Sequence, residues 1–247
     1  MQYFWDTVET VQDGIGFSYF EWPHLVWLAV FVLVVTVLSF VYRRLGSTGR
    51  QRMRWAMAAG LVLNELFKLV GLFIGGTWLP KYLPLHMCSI NIFLIALHSV
   101  RPSQLLNNYL YAVGIPTAII ALLVPSWNEL PQCNFMNIHS FTVHIQLAAY
   151  PLVLTLGGDI RPQPRYLWKD LLFALGMAIP IYGINLLLDT NFMFLMEAEA
   201  GNPLLWFEKT MGNHLWGIPI LSVLVLIGMY VLAWPIWRRK KSAVQSL

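Results

Sequence analysis

Apolar residues dominate seven long stretches of the chain, and polar residues gather in the short segments between them. Each stretch reaches or approaches the roughly 20 helical residues that cross a bilayer core about 30 Å thick. Helices suit this environment because they satisfy their own backbone hydrogen bonds, which lipid cannot do. The pattern therefore predicts an all-α, polytopic membrane protein, a seven-transmembrane-helix bundle. The predicted spans are 24–42, 55–77, 83–100, 105–124, 137–157, 167–188 and 215–237.

The composition narrows the class of protein. Hydrophobic residues make up 57% and charged residues 11% of the chain, against about 45–50% and about 25% in soluble domains. These values exclude a disordered segment, a coiled coil and a water-soluble enzyme with a charged surface. The net charge of +4 does not indicate a nucleic-acid partner, because acidic residues are also scarce and the basic ones border apolar runs. With no repeat and no long linker, we expect residues 1–247 to form a single domain.

The distribution of lysine and arginine predicts the orientation in the membrane. When alternate loops are assigned to opposite sides, most of the 16 basic residues fall on one side. Cytoplasmic loops carry such an excess. We therefore expect a multi-pass protein of the cell membrane with its N-terminus outside and its C-terminus inside. The basic residues assigned to the inner side include Arg43, Arg44, Arg50, Arg52, Arg54, Arg101, Arg161, Arg165, Lys169, Arg238, Arg239, Lys240 and Lys241.

Most polar residues in or just beyond the spans share one depth, the outer half of the bilayer, and the exceptions near the inner surface are His98, Asn107 and Asn108. Ionisable groups there are costly, so each is a candidate for function. Their common depth on several helices predicts one polar cavity that opens toward the outer face. Alternatively, each group forms an interhelical hydrogen bond that only stabilises the bundle. The residues concerned are Glu65, Lys68, His86, Cys88, Asn91, His139, His144, Asn185, Asp189 and Asn191.

Cys88 is the candidate nucleophile. Pro84 suits the first turn of a helix, which would place Cys88 close to the positive end of the helix dipole. A thiol activated there can attack an ester and carry the acyl group as a thioester. The base would come from His139 or His144. These two are five residues apart, so only one of them should point at the thiol, and the sequence does not decide which.

Other interpretations of the same residues remain open. Glu65 and Lys68, three apart on one helix, can form an internal ion pair that supports the site or merely closes the bundle, and Lys68 could also meet a lipid phosphate. Cys88 could instead pair with Cys133, which would remove the nucleophile. We expect no metal and no cofactor, because no ligand spacing of the HExxH kind and no nucleotide motif occurs. A metal site is still conceivable from His86, His139, His144 and Asp189.

Three motifs carry a resemblance to a known family. The segments LPLHMCS (Leu83 to Ser89), HSFTVH (His139 to His144) and LDTNFMFL (Leu188 to Leu195) resemble those of the YwaF-type bacterial integral membrane proteins, which belong with eukaryotic transmembrane protein 164. The resemblance covers nearly the whole chain. One departure lies in the third motif, where Phe192 replaces the commoner tyrosine and so removes a phenolic proton donor.

The resemblance implies a membrane-embedded lipid acyltransferase that moves a fatty acyl chain from a phospholipid to a lysophospholipid. Cys88 would be the covalent carrier and His144 or His139 the base, with slow lipase activity when no acceptor is bound. Phospholipids and lysophospholipids would be the partners, and the sequence does not indicate an oligomeric state. The residues that could donate hydrogen bonds to the tetrahedral oxyanion are Asn91, Asn185 and Asn191.

Two non-enzymatic functions compete with this interpretation. A small-molecule transporter or binding protein would use the same outer cavity, with recognition by Glu65, Lys68, His86 and Asp189. A structural or assembly factor would tolerate changes at both Cys88 and His144.

Overall fold

The predicted spans correspond closely to long helices. The structure is a computed structural model that describes the backbone of residues 3–198 and 202–244 and the side chains of these residues as far as Ala233. Predicted basic residues at 238–241 therefore lie outside the described side chains. The helices are α1 (Trp22–Arg44), α2 (Ser47–Gly75), α3 (Met87–Val100), α4 (Gln104–Tyr109), α5 (Ile115–Leu123), α6 (Phe135–Leu156), α7 (Leu167–Leu188), α8 (Leu204–Met211) and α9 (Gly217–Val244).

Within the described residues, six segments are long and apolar enough to cross a membrane, as expected for a multi-pass protein. These segments are Trp22–Arg44, Ser47–Gly75, Pro80–Val100, Gln104–Leu123, Pro164–Leu188 and His214–Ala233. The remaining predicted span became α6, which has 22 residues but is more polar than the six. It packs against α1, α2 and α5 and is buried along most of its length, so its polar side chains face other helices.

The two ends of α6 lie at opposite ends of α1 and α2. At its start, the side chain of Asn134 accepts hydrogen bonds from the first turn of α6 and donates to the carbonyls of Tyr3 and Asp6, which precede α1. Just after its end, Asp159 accepts hydrogen bonds from Tyr42 at 2.6 Å and from Arg50 at 2.7 Å. Tyr42 lies in the last turn of α1 and Arg50 in the first turn of α2. α6 therefore runs the full length of its neighbours.

The start of α3 differs from the sequence prediction. We expected helix from residue 83 with Pro84 in its first turn, but α3 begins only at Met87. Residues before proline disfavour the helical conformation, and Leu83 accordingly has an extended ψ of 145°. A 3₁₀ turn, Pro80–Tyr82, and an extended stretch lead to His86, which is the N-cap of α3. Cys88 consequently becomes the second residue of the helix, at its positive end.

A π-helical stretch, Leu110–Gly114, joins α4 to α5 into one crossing. Pro116 explains this stretch. It has no N–H to donate to the carbonyl four residues earlier, and the wider π-helical turn accommodates the missing hydrogen bond. The stretch packs in the core, where Leu110 and Ala112 are fully buried. Gly114 faces α3: a Cβ added there would lie 4.0 Å from Nδ2 of Asn91.

α2 and α6 approach each other closely at Gly71. A Cβ at this position would lie 2.3 Å from the ring of Phe135, which is fully buried at the start of α6. Further along the same contact, Nδ2 of Asn64 donates to Thr142 Oγ1 at 2.9 Å. This close packing fixes the alignment of the two helices that carry most of the candidate site.

We expect Gly71→Ala to destabilise the protein relative to Gly176→Ala. Both glycines lie within helices and both gain about 1 kcal/mol of helix propensity on replacement by alanine. At Gly176 no heavy atom outside its own helix backbone and chain neighbours lies within 4 Å among the described residues, whereas at Gly71 the added methyl group meets Phe135. Overpacking of this kind costs about 1–3 kcal/mol. Thermal unfolding in detergent should show that difference, and equal stability of the two variants would contradict the close contact.

Candidate functional site

A buried polar cluster forms where α2 meets α6. Glu65, Lys68 and His139 are each less than 10% exposed, at 7%, 6% and 5%. The ammonium of Lys68 forms an ion pair with Glu65, and Nε2 of His139 lies 3.8 Å from the other carboxylate oxygen of Glu65. The structure thus brings together residues that the sequence placed at a common depth on two different helices.

His139 is held through one ring nitrogen, Nδ1. This atom lies 3.1 Å from the backbone oxygen of Asn64 and 3.1 Å from the side-chain oxygen of the same residue. Both are acceptors, so Nδ1 must carry the proton. Nε2 lies 3.8 Å from the Glu65 carboxylate, beyond hydrogen-bond distance, and faces the buried ion pair of Glu65 with Lys68. The contacts of Nδ1 anchor α6 to α2.

His144 is also held through Nδ1, but its Nε2 does not face the buried ion pair. Its Nδ1 donates to the backbone oxygen of Ser140 at 2.6 Å, which leaves a lone pair on Nε2 in the neutral ring. Within the described part of the chain Nε2 has no hydrogen-bond partner, and it is not fully buried. The indole of Trp127 stacks on the imidazole, with ring centroids 4.9 Å apart. His144 is thus oriented and has a basic nitrogen available.

His86 presents a donor where His144 presents an acceptor. The backbone N–H of Met193 donates to Nδ1 of His86 at 3.4 Å, so Nε2 carries the proton. No partner for that Nε2–H is found among the side chains described. Lys68 and His144 are both close enough to His86 to interact with it electrostatically. One polar region therefore contains a basic nitrogen, an N–H donor and an ammonium group.

A short turn covers His86. Asn185 of α7 holds this turn by accepting from the N–H of Phe192 at 2.8 Å and donating to its carbonyl at 3.0 Å. Phe192 is fully buried and its ring meets the His86 ring edge-on at 5.2 Å between centroids. The phenylalanine that departs from the commoner tyrosine is thus a packing residue here. The amide of Asn185, a predicted substrate ligand, is engaged by the turn itself.

Two further predicted ligands lie outside the cluster. Asp189 is exposed at the left-handed C-cap of α7. The side-chain oxygen of Asn191 accepts from the N–H groups of Met196 at 3.1 Å and Glu197 at 3.3 Å. Asp189 and Asn191 therefore belong to the end of α7 and the loop after it. A metal site formed with His86, His139 and His144 would thus lack the carboxylate ligand of Asp189. In the residues that can be searched, 3–198 and 202–244, no group of three His, Cys, Asp or Glu side chains is placed to hold a metal.

Cys88 lies in the first turn of α3 with a free, half-buried thiol. Its neighbour Met87 accepts a hydrogen bond from the hydroxyl of the buried Tyr109 at 2.9 Å, and Tyr109 also interacts electrostatically with Cys88. Among the described residues, no hydrogen bond joins the Cys88 sulfur to His139 or His144. Cys133 is exposed and also free, so the alternative disulfide is not formed.

Asn91 follows Cys88 by three residues and shares its face of α3. Only 1% of the residue is exposed, yet neither Oδ1 nor Nδ2 has a hydrogen-bond partner among the residues that the structure describes. Leaving a buried amide unsatisfied costs about 1–3 kcal/mol. Such an amide, one helical turn from a free thiol, could bind a polar group of another molecule.

The N-terminal segment reaches the stretch that precedes α3. Lys81 and the hydroxyl of Tyr82 both bind the carboxylate of Glu9. Partial burial alone would raise the pKa of Glu9, but these hydrogen bonds outweigh it and lower the pKa to about 2. The carboxylate is therefore charged at neutral pH and ties residues before α1 to the segment that carries His86.

Sequence reasoning missed three residues near the site: Trp127, Tyr109 and Asp170. Asp170 is fully buried in α7, and its Oδ2 accepts from the hydroxyl of Tyr230 at 2.8 Å. As an ionisable residue within the predicted span 167–188, it satisfied the rule that singled out Glu65. Trp127 lies in a loop and Tyr109 in an apolar run, so nothing in their local sequence pointed to them.

Comparison with known proteins gives one match. The model of the TMEM164 family matches residues 19–241, which is most of the chain. This confirms the resemblance that the three sequence motifs indicated. No curated protein and no solved structure matched the chain.

Glu65→Gln should destabilise the protein more than the double replacement Glu65→Gln with Lys68→Met. The single change leaves the Lys68 ammonium buried without its counter-charge, which costs about 3–5 kcal/mol. The double change removes both charges and should recover much of that loss in thermal unfolding experiments. Glu9→Gln is a matched control, because it breaks the more exposed pair with Lys81 and should cost at most about 1 kcal/mol. A double variant no more stable than Glu65→Gln would refute a buried ion pair.

Proposed function

Because this chain belongs to the TMEM164 family, we propose that it is a membrane-embedded lipid acyltransferase. It moves a fatty acyl chain between a phospholipid and a lysophospholipid through a thioester on Cys88. The observation that carries the proposal is the pair of complementary imidazoles, with a lone pair on Nε2 of His144 and a proton on Nε2 of His86, next to the start of the helix that carries Cys88.

In the first step, the Cys88 sulfur attacks the carbonyl carbon of the phospholipid ester. The thiol proton passes to Nε2 of His144, whose tautomer leaves that nitrogen basic. The oxyanion of the tetrahedral intermediate accepts hydrogen bonds from the amide of Asn91 and from Nε2–H of His86. The carbon–oxygen bond then breaks, His144 returns the proton to the leaving glycerol oxygen, and the acyl group remains on sulfur.

The second step reverses these roles. The hydroxyl of a lysophospholipid loses its proton to His144 and attacks the thioester carbonyl. The carbon–sulfur bond breaks, and the proton returns to the sulfur as the new ester leaves. The ammonium of Lys68 interacts electrostatically with His86 and with His139. In both steps it would attract the phosphate of the bound lipid.

No hydrogen bond joins Cys88 to His144 among the described residues. For the thiol proton to reach Nε2, binding of the lipid has to bring the sulfur and the imidazole within hydrogen-bond distance. Catalytic hydrogen bonds commonly shorten only when the substrate binds. The separation therefore makes the reaction depend on a bound lipid.

We further propose seven crossings, with the N-terminus and the site toward the outer face of the cell membrane. α6 supplies the seventh crossing, because its ends lie at opposite ends of α1 and α2. Its polarity is compatible with a membrane because α1, α2 and α5 surround it. The basic residues Arg50 and Arg54 lie with Asp159 at the end assigned to the cytoplasm.

Labelling of Cys133 tests this orientation. Cys133 is exposed in the loop before α6, so a membrane-impermeant maleimide should label it in intact cells. The variant Cys133→Ser should lose this labelling. In that background Ser47→Cys, at the exposed start of α2, should react only after the membrane is permeabilised. The opposite pattern would invert the proposed topology.

Mass spectrometry of the intact protein tests the chemistry. Purified protein incubated with phosphatidylcholine vesicles should gain the mass of an acyl group, and hydroxylamine should remove it. Cys88→Ala should abolish the adduct, whereas Cys133→Ser should keep it. His144→Gln should slow its formation by a factor of about 10²–10⁴, the usual contribution of a general base.

The same experiment separates the competing functions. A binding protein or transporter would form no adduct, and its Cys88→Ala variant would still bind lipid. Wild-type protein that stays unmodified with vesicles alone, and that transfers no acyl group when lysophospholipid is added, would therefore overturn the acyltransferase. Release of free fatty acid from the adduct in the absence of lysophospholipid would be the expected lipase side reaction.

A further inference from the structure

A mostly apolar cavity of about 170 Å³ lies between α5, α7 and α9. Its walls include Pro116 and Ile120 of α5, Ala174 of α7 and Val225 of α9. All of these residues belong to membrane-spanning segments. The cavity is therefore a half-open, hydrocarbon-like space between these helices, at the depth of lipid tails.

The cavity wall includes sequence neighbours of the thiol and of the Asn91 contact. Met87, which lines it, immediately precedes Cys88 on α3. Val113, also in its wall, immediately precedes Gly114, where an added Cβ would lie 4.0 Å from the unsatisfied amide of Asn91. The helix that carries the sulfur thus contributes its first residue to the cavity wall.

The cavity has one polar boundary. Asp170 is fully buried and lines the cavity, and its Oδ1 has no hydrogen-bond partner in the portion of the chain that is described. Tyr109 interacts electrostatically with both Cys88 and Asp170. Asp170 therefore places a polar group in an otherwise mostly apolar wall.

We propose that this cavity holds the fatty chain of the acyl group carried by Cys88, and that the boundary at Asp170 limits the chain length accepted. The proposal rests on the acyltransferase function given above. A fatty chain gains no hydrophobic free energy on moving from lipid into the cavity, because both are apolar. Selection must therefore come from fit, since a chain that is too long has to displace well-packed side chains or approach the carboxylate.

Filling the cavity should shift the chain length of the adduct. The wild-type protein and Ala174→Phe are incubated with vesicles that contain equal amounts of lauroyl, palmitoyl and arachidoyl phosphatidylcholine, and the Cys88 adducts are resolved by mass. Ala174→Phe should lower the ratio of long to short adducts by about fivefold or more, the factor that matches the about 1 kcal/mol lower end of an overpacking cost.

Two further variants make the result specific. Leu175→Phe adds the same ring to the next residue of α7, whose side chain is 43% exposed on the outside of the bundle, and should leave the ratio unchanged. Val225→Ala enlarges the cavity and should shift the adducts toward longer chains, so the inference stays testable even if Ala174→Phe does not fold.

The outcomes distinguish the two proposals. Adducts whose chain lengths are the same in the wild type, Ala174→Phe and Val225→Ala would overturn the cavity assignment and leave the acyltransferase standing. A ratio that changes equally in Leu175→Phe would also overturn it. No adduct on the wild-type protein with any of the three lipids would overturn both.

Discussion

Lipid offers no hydrogen bonds, so polar groups within the spans have to find their partners inside the helix bundle. This constraint explains why α6, a long helix that carries Asn137, His139, His144 and Gln146, is buried along most of its length. Its polar side chains meet groups on α2, as Thr142 and His139 do with Asn64. The most apolar helices, including α1 and α7, are left to face the lipid. The order of the bundle thus follows from where polar atoms can be satisfied.

The same constraint makes the polar atoms that lack a hydrogen-bond partner informative. Several polar atoms within the spans have no hydrogen-bond partner among the described residues, and they include both polar atoms of the Asn91 side chain and Oδ1 of Asp170. A bundle selected for stability alone would pair or remove such groups, because each one costs free energy. The unsatisfied amide of Asn91, one helical turn from Cys88, is therefore a stronger reason to consider a site here than the cysteine by itself.

Sequence reasoning located the helices but not the roles of the side chains. Hydropathy placed α7 at 167–188, where it lies, because burial in lipid depends on composition over many residues. The start of α3 was misjudged because a local rule, the effect of Pro84 on Leu83, prevailed over the apolar run. Asn64 and Ser140 both engage Nδ1 of their histidines, so the choice between His139 and His144 depends on the surroundings of Nε2, and those are not visible from spacing. Asn185 looked like a ligand only because its partner, the turn at Phe192, is not visible from spacing.

The separation of thiol and imidazole also bears on the proposed preference for transfer over hydrolysis. If Cys88 and His144 were in contact at rest, the pair would be activated whether or not a lipid was present. If the bound lipid has to bring the two groups within hydrogen-bond distance, activation coincides with occupancy of the site by lipid. Trp127, stacked on His144, occupies one face of the imidazole and restricts the approach of water from that side. A lysophospholipid hydroxyl, delivered at the correct depth by its own chain, then has an advantage over water that comes from positioning rather than from reactivity.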